Sequence, residues 1–304
     1  MRIRQSELSQ WANCRRKTVL QYREGLQRKK PEGLYLTPPN SANLGTIVHA
    51  GLEQYYRDGT LPHAHVRAMA HAEIAKWAAT GVQDMNDKWK KAYNLAWIMC
   101  EGYIGWLEET GIDAGLEITG VERELEVPFG TYHGEEVTIV GHIDLEGIDA
   151  LGRPVLIDHK TVQSIGEHEG PVDFQRLTYA VLRRLEDGTA YRALQHNQLR
   201  KVMRSAKATP PFYGRPEVQV SDEMARNHWA TMDAIIEEIV RHYQSGAPVD
   251  APVFYPRPSR DCDWACPFYH LCPMMSDGSD WVGYAEEMFE KGTAHVPGQQ
   301  EEES

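Results

Sequence analysis

Between Glu117 and Thr161 the chain changes period, and this stretch restricts the fold more than any other. "EITGVERELEVPF" alternates, "VTIVGHIDLEGI" is β-branched and apolar, and "RPVLIDHKT" follows a Gly152-Arg153-Pro154 turn. Alternation with a period of two marks strands, and Gly/Pro breaks mark the turns between them, so residues 117–160 are predicted to form an antiparallel meander. The last strand ends in charge. Because side chains alternate faces, Leu156, Asp158 and Lys160 share one face and Val155, Ile157 and His159 the other, which aims a carboxylate and an ammonium at one place.

The flanking segments have a helical period. Residues 43–57 put Leu44, Val48, Leu52 and Tyr55/Tyr56 at helical spacing after the turn-like "TPPNS", with His49 in the early turns. Trp89, Tyr93, Trp97, Cys100, Ile104 and Leu107 mark a long amphipathic helix closed by Gly111. After the meander come a helix in "FQRLTYAVLRRL", a segment "YRALQHNQLRKV" compatible with strand or helix, and a helix from about Asp222 to Tyr243. This order predicts an α/β core under a helical cap, one domain over residues 1–275, without internal repeats. Residues 276–304 carry eight acids against Lys291 and are expected to form a flexible acidic tail.

With 41% hydrophobic residues in 304, a sizeable core can be buried. No apolar run reaches the roughly 18 residues of a membrane helix, and Arg2 and Arg4 are not followed by the apolar core of a signal peptide, so a cytoplasmic location is expected. The net charge of −12 argues against a nucleic-acid partner, whose phosphates reward cations. The distribution of that charge argues the other way. Residues 1–30 hold nine Lys/Arg against Glu7 and Glu24, and residues 183–215 hold eight against Glu186 and Asp187. Each basic segment reads either as a solvated helix face or as a track for DNA.

Asp144, in "GHIDLEG", follows a β run at residues 137–140 that a hairpin would set beside residues 155–160, so that Asp144 and Asp158 converge. Two carboxylates at a sheet edge suit Mg²⁺ or Mn²⁺, ions that bind phosphate oxygens. A lysine beside them can hold an attacking water or stabilise developing charge, which is phosphodiester chemistry.

Gly141-His142-Ile143-Asp144 and Asp158-His159-Lys160-Thr161 together resemble the D…(D/E)xK core of the PD-(D/E)xK nuclease superfamily, in the RecB-type version whose strand reads "DxKT". His49 in "GTIVHAGLE" is similar to that group's metal-binding histidine, and Gln175 and Tyr179 in "QRLTY" to its Q-x-x-x-Y helix. The resemblance implies a central mixed sheet flanked by helices, with Mg²⁺ or Mn²⁺ held by His49, Asp144, Asp158 and the backbone carbonyl of His159. It further implies Asp144, Asp158 and Lys160 as catalytic residues and Gln175 and Tyr179 as substrate contacts. The activity implied is that of a metal-dependent deoxyribonuclease, an exonuclease on single-stranded DNA or duplex ends. Two alternatives stay open: a non-catalytic DNA-end-binding or assembly subunit, and a nuclease active only within a recombination or CRISPR-adaptation complex. No G-x-x-x-x-G-K-[ST] occurs, so any unwinding would fall to a partner helicase or recombination protein. His142 and His168 have no part in this scheme.

Of the five cysteines, Cys100 falls on the core face of a helix. Cys262, Cys266 and Cys272 are spaced C-x3-C-x5-C among prolines and aromatics, which in a cytosolic setting favours a metal site over disulfides, and Cys14 in "WANCRRK" is the candidate fourth ligand. One N-terminal and three C-terminal cysteines resemble the iron-sulfur arrangement of RecB-like nucleases of the AddB and CRISPR-associated exonuclease groups, although those groups usually show C-x2-C. The resemblance implies a [4Fe–4S] cluster, with a tetrathiolate Zn²⁺ site as the alternative. It would bring Arg15, Arg16 and Lys17 to where they could meet a DNA backbone.

Overall fold

The alternating stretch forms the predicted strands in a computed structural model that describes residues 1–29, 39–79, 87–166 and 173–292. The chain opens with β1 (Arg2–Arg4), α1 (Gln5–Asn13), α2 (Arg15–Thr18), a π-helical turn (Val19–Arg23) and β2 (Leu26–Arg28). A helical group follows: α3 (Ser41–Asp58), α4 (Pro62–Ala79) and α5 (Asp87–Thr110). Next come β3 (Glu117–Tyr132), β4 (Glu135–Ile148), β5 (Pro154–Val162), α6 (Phe174–Asp187), β6 (Ala193–Arg200), β7 (Tyr213–Gly214), β8 (Glu217–Gln219) and α7 (Asp222–Gln244). A 3₁₀ turn (Pro252–Phe254), α8 (Cys262–Ala265), α9 (Leu271–Asp277), α10 (Trp281–Met288) and β9 (Phe289–Lys291) complete the described chain.

The main sheet runs β1-β4-β5-β6-β7, with β3 paired to β4 and β8 to β6. It is mixed: β3–β4 and β4–β5 are antiparallel, β1–β4 and β5–β6 parallel. Parallel neighbours need a crossover, and α6 supplies it between β5 and β6. The ambiguous segment after α6 is therefore strand, because all of β6 pairs with β5. Helices cover both faces. Leu156, Ile139 and Ile143 pack with α6 and α7 through Leu177, Val181 and Ile236, whereas Leu145, Val155 and Ile157 form a cluster on the other face against Tyr56 of α3. Burial on both sides explains why β5 reads as an apolar run.

One expected pairing is wrong. Residues 137–140 do not lie beside β5; three of them, Thr138–Val140, pair with β1, and it is Leu145–Ile148 that pairs with Pro154–Ile157. The long β4 offers one edge to β3 and shares the other between β1 and β5. Extending the register places Asp144 opposite Asp158 just where the β4–β5 ladder stops, so the two acids still converge.

The flexible tail expected from residue 276 is also not what residues 276–292 adopt. Trp281, Tyr284, Ala285, Met288 and Phe289 follow the i, i+3, i+4, i+7, i+8 spacing of an amphipathic helix, and they pack with Leu20, Phe268 and Leu271. Asp280 caps α10 by accepting from the Gly283 amide at 2.9 Å, and β9 pairs antiparallel with β2. Counting acids missed this apolar stripe. Residues 293–304, the remainder of the expected tail, and His168 lie outside the described residues. No helix among the described residues is long and apolar enough to cross a membrane.

Candidate functional site

Asp158 and Lys160 leave β5 on the same face, as alternation requires, and stand together just past the end of the β4–β5 ladder. Lys160 Nζ lies 2.8 Å from Asp158 Oδ2 and donates to Gln175 Oε1 at 2.9 Å. Gln175 in turn donates through Nε2 to the Tyr179 hydroxyl at 3.2 Å. Spacing of four on α6 puts Gln175 and Tyr179 on one helix face. The Asp173 cap, accepting from the Arg176 amide at 2.8 Å, fixes where that helix begins. Tyr179 in turn explains Gly141: a Cβ there would stand 2.7 Å from Tyr179 Cε1, so only glycine lets the ring lie across β4.

Asp144 faces the same opening. Along β4 the alternation slips at this residue: Ile143 and Leu145, two apart, pack on opposite faces. Its Oδ2 accepts from the His159 backbone amide at 2.7 Å, and its Oδ1 is 3.6 Å from Nδ1 of His49 on α3. A strand residue turns its N–H and C=O to the same edge, so the His159 carbonyl is also directed toward this side. The His159 ring is locked separately: it stacks on Tyr56, with centroids 5.7 Å apart, and its Nδ1 is 3.0 Å from Asn197 Nδ2. Burial pushes its pKa down to about 3, leaving it neutral.

The structure adds a residue that sequence reasoning missed. Glu122 on β3 stands between Val121 and Arg123, which pair with Leu145 and Ile143 on either side of Asp144, and His49, Glu122 and Asp144 each bring a ligand atom within 4.8 Å of the others. Its φ of 49° is left-handed, uncommon and strained for a residue with a side chain, and such outliers gather at functional sites. Oε2 is also 2.8 Å from His142 Nδ1, so His142, unassigned from sequence, supports the site from behind. Nothing local in "VERELEV" distinguishes Glu122 from Glu124 or Glu126; only the cross-strand register does.

The electrostatics are those of an anionic pocket with too little positive charge. Burial raises Asp158 to about 6, Lys160 opposes the rise, and Asp144 adds to it. Burial and the Asp144 charge raise Glu122 to about 7. For Asp144 burial is outweighed by hydrogen bonding to His49 and to the His159 amide, which hold it below the usual carboxylate range. Burial alone would lower His49, but Asp144 raises it. Asp158 Oδ2 is buried and, although close to the Lys160 ammonium, has no donor aligned with it for a hydrogen bond. Nitrogen and carboxylate donors with an unsatisfied buried oxygen fit a divalent cation of the Mg²⁺ or Mn²⁺ kind.

The expected basic tracks are mostly used internally. Arg15 pairs with Glu238 and lies over Tyr255, and Arg16 is buried, donating to the carbonyls of Phe254 and Cys272 and to Ser276 Oγ. Neither can serve a DNA backbone as anticipated; Lys17 remains, lining a polar groove. Arg183, Arg184, Arg192 and Arg215 are likewise paired with acids. The Arg215 side chain is moreover buried, and neither it nor Arg192 lies on a helix, so for these two the solvated helix face does not hold either.

Cys14, Cys262, Cys266 and Cys272 line one cavity of about 180 Å³ with Leu20, Phe268 and several prolines, and none is in a disulfide. The Ser259 amide donates to Cys262 Sγ at 3.4 Å, and Arg16 Nη1 is 3.7 Å from Cys272 Sγ. Among the described residues no three of these sulfurs lie within 4.8 Å of one another. A tetrahedral zinc site with bonds of about 2.3 Å would need them within about 3.8 Å. The donor set suits a larger thiophilic group. Cys100 is buried in α5, its thiol pushed up to about 12 by burial, as a packing residue should be.

No curated protein matches the chain significantly. Among solved structures, that of the protein SSO0001 superposes with a TM-score of 0.33 at 15% identity, covering 89% of this chain and 95% of the other. A candidate exonuclease from Eubacterium rectale superposes with a TM-score of 0.44 at 10% identity, covering 88% and 93%. Residues 2–273 match the profile of the PD-(D/E)XK nuclease superfamily, whose members use divalent metals. Every strand of the main sheet and every polar group around Asp158 lies within that span, and the chain belongs to the PD-(D/E)XK nuclease superfamily.

Proposed function

We propose that this protein is a divalent-metal-dependent deoxyribonuclease of the RecB-like group, an exonuclease on single strands or duplex ends, with a [4Fe–4S] cluster at Cys14, Cys262, Cys266 and Cys272. The observation that carries the reading is the meeting of His49, Glu122 and Asp144 within reach of a common ion, beside the Asp158–Lys160 pair past the end of the β4–β5 ladder. His49, Asp144, Asp158 and the His159 carbonyl would hold the catalytic ion, with Glu122 as a further donor. When bound, such an ion polarises the phosphate and makes water more acidic.

The chain's own groups do the rest. Burial weakens the basicity of Lys160, but the Asp158 charge outweighs it and keeps the ammonium protonated. A charged ammonium cannot accept a proton, so its part is to orient the attacking water and offset charge gathering on the phosphate oxygens. Gln175 holds it there through the 2.9 Å hydrogen bond, and Tyr179 holds Gln175. Water adds to phosphorus, the bond to the leaving oxygen breaks, and the products are an alcohol and a phosphate monoester.

The four thiols line one cavity, and their order along the chain, one N-terminal and three C-terminal, supports an iron-sulfur group over zinc. Placing it between the start of the chain and residues 262–272 gives it a structural role. Digestion of end-labelled DNA in Mn²⁺ by the intact protein tests the assignment. Asp158→Ala and Lys160→Ala should each lose about 10²-fold or more in rate while keeping the visible absorbance of the cluster. Full activity in both would refute it.

A further inference from the structure

A polar groove of about 620 Å³ begins at Gln175, the residue that holds Lys160, and extends to Cys14, Cys262 and Cys266. Its volume is that of a ligand cleft. One wall comes from α1, where Ser6, Ser9, Gln10 and Asn13 recur at i, i+3, i+4 and i+7 and so form one stripe, while Leu8 and Trp11 of the same helix are buried in the core. The opposite wall carries Ser259, Asp261 and Arg257, and Lys17 stands near the cysteine end. Arg257 is tied to the α1 wall by donating to the Ala12 carbonyl at 3.1 Å.

The chemistry of the lining selects its occupant. The groove's described lining offers neutral hydroxyl and amide groups plus two cations against one carboxylate. Hydroxyls, amides and cations are the groups that contact phosphates and sugars, which position a strand without reading its bases. Among the described residues that line it there is no aromatic platform on which bases could stack. Its continuity with Gln175 puts it on one side of the scissile phosphate.

We propose that this groove seats the sugar-phosphate backbone of the substrate strand beyond the scissile bond, independent of sequence; this rests on the nuclease reading above. Ser6 to Asn13 spans about 10 Å of helix at 1.5 Å per residue. That corresponds to about three nucleotides at a rise of 3.4 Å. Affinity should therefore climb as a strand is lengthened past the cleavage point and level off after about three nucleotides.

Charge reversal at one position of the stripe tests it in the full-length protein. Ser9 is half-buried with no role in the metal centre. Ser9→Glu and Ser9→Arg are compared with wild type on a fluorescent thirty-nucleotide oligothymidylate and on the 4-nitrophenyl ester of thymidine 5′-phosphate, which is too short to enter the groove. Ser9→Glu should lower kcat/KM for the oligonucleotide relative to the ester about tenfold, and Ser9→Arg should raise that ratio. Damage to folding would move both variants the same way. In that case Asn13→Arg, at an exposed position on the same stripe, gives the deciding ratio and should raise it. A ratio unchanged by both arginine variants would overturn the groove while leaving the nuclease reading intact. Absence of hydrolysis of both substrates by wild type would instead overturn the nuclease reading.

Discussion

Replacing Gly141 with alanine should damage the active site without touching a charged group. The new Cβ would lie 2.7 Å from Tyr179 Cε1 and 3.3 Å from Cδ1, where ordinary contact begins at 3.4 Å. The ring must therefore retreat by about 0.7 Å, yet Tyr179 is only 4% exposed and packed in the main core. Overpacking of this size costs about 1–3 kcal/mol. Because the Tyr179 hydroxyl accepts from Gln175 and Gln175 holds Lys160, the displacement also reaches the lysine, and catalytic rate should fall while Mn²⁺ affinity stays level. A double-mutant cycle isolates the contact. Tyr179→Ala alone should cost about 3–5 kcal/mol. In its background Gly141→Ala should cost close to nothing, because the obstructing ring is gone. Urea denaturation of the four proteins, read at equal m-values, measures this. If the two substitutions prove additive to within about 0.5 kcal/mol, the proposed contact does not govern this position.

Other expectations follow from the same reasoning. Glu7 is 3% exposed, and burial raises it to about 7 from 4.5, against a hydrogen bond from the Tyr243 hydroxyl at 2.9 Å. A raised carboxyl contributes stability that is complete below pH 4.5 and lost as pH rises through 7, about 3 kcal/mol in all. Glu7→Gln should therefore flatten the fall in stability between those limits, and a denaturation midpoint with the wild-type pH slope would contradict it. Glu122→Gln should weaken Mn²⁺ binding in calorimetry at least tenfold, the scale seen even for outer-shell partners of metal ligands; unchanged affinity would remove Glu122 from the site. Cys14→Ala should give a colourless, less stable protein, and an unaltered visible spectrum would exclude that thiol as a ligand.

Much of the site was legible because it is encoded locally. Alternation in "VLIDHKT" by itself puts Asp158 and Lys160 on one side, and a spacing of four by itself puts Gln175 and Tyr179 on one helix face. Glu122 was not legible. It is one of three glutamates in an alternating strand, and it is distinguished by its closeness to Asp144, 22 residues later, and by a left-handed φ. The arginines were misjudged for a related reason: whether Arg15 or Arg16 is available depends on Glu238, Phe254 and Cys272, all more than 200 residues away.

The sequence alone determined the three-strand meander, the helices around His49 and Trp97, and the charged end of β5, because periodicity acts over a few residues. Tertiary structure decided which part of β4 meets β5, which acid joins His49 and Asp144, and whether residues 281–291 fold back on the start of the chain. Those outcomes depend on register and on charge compensation between distant segments. Both are set by the free energy of the assembled layers, and a local pattern carries no record of them.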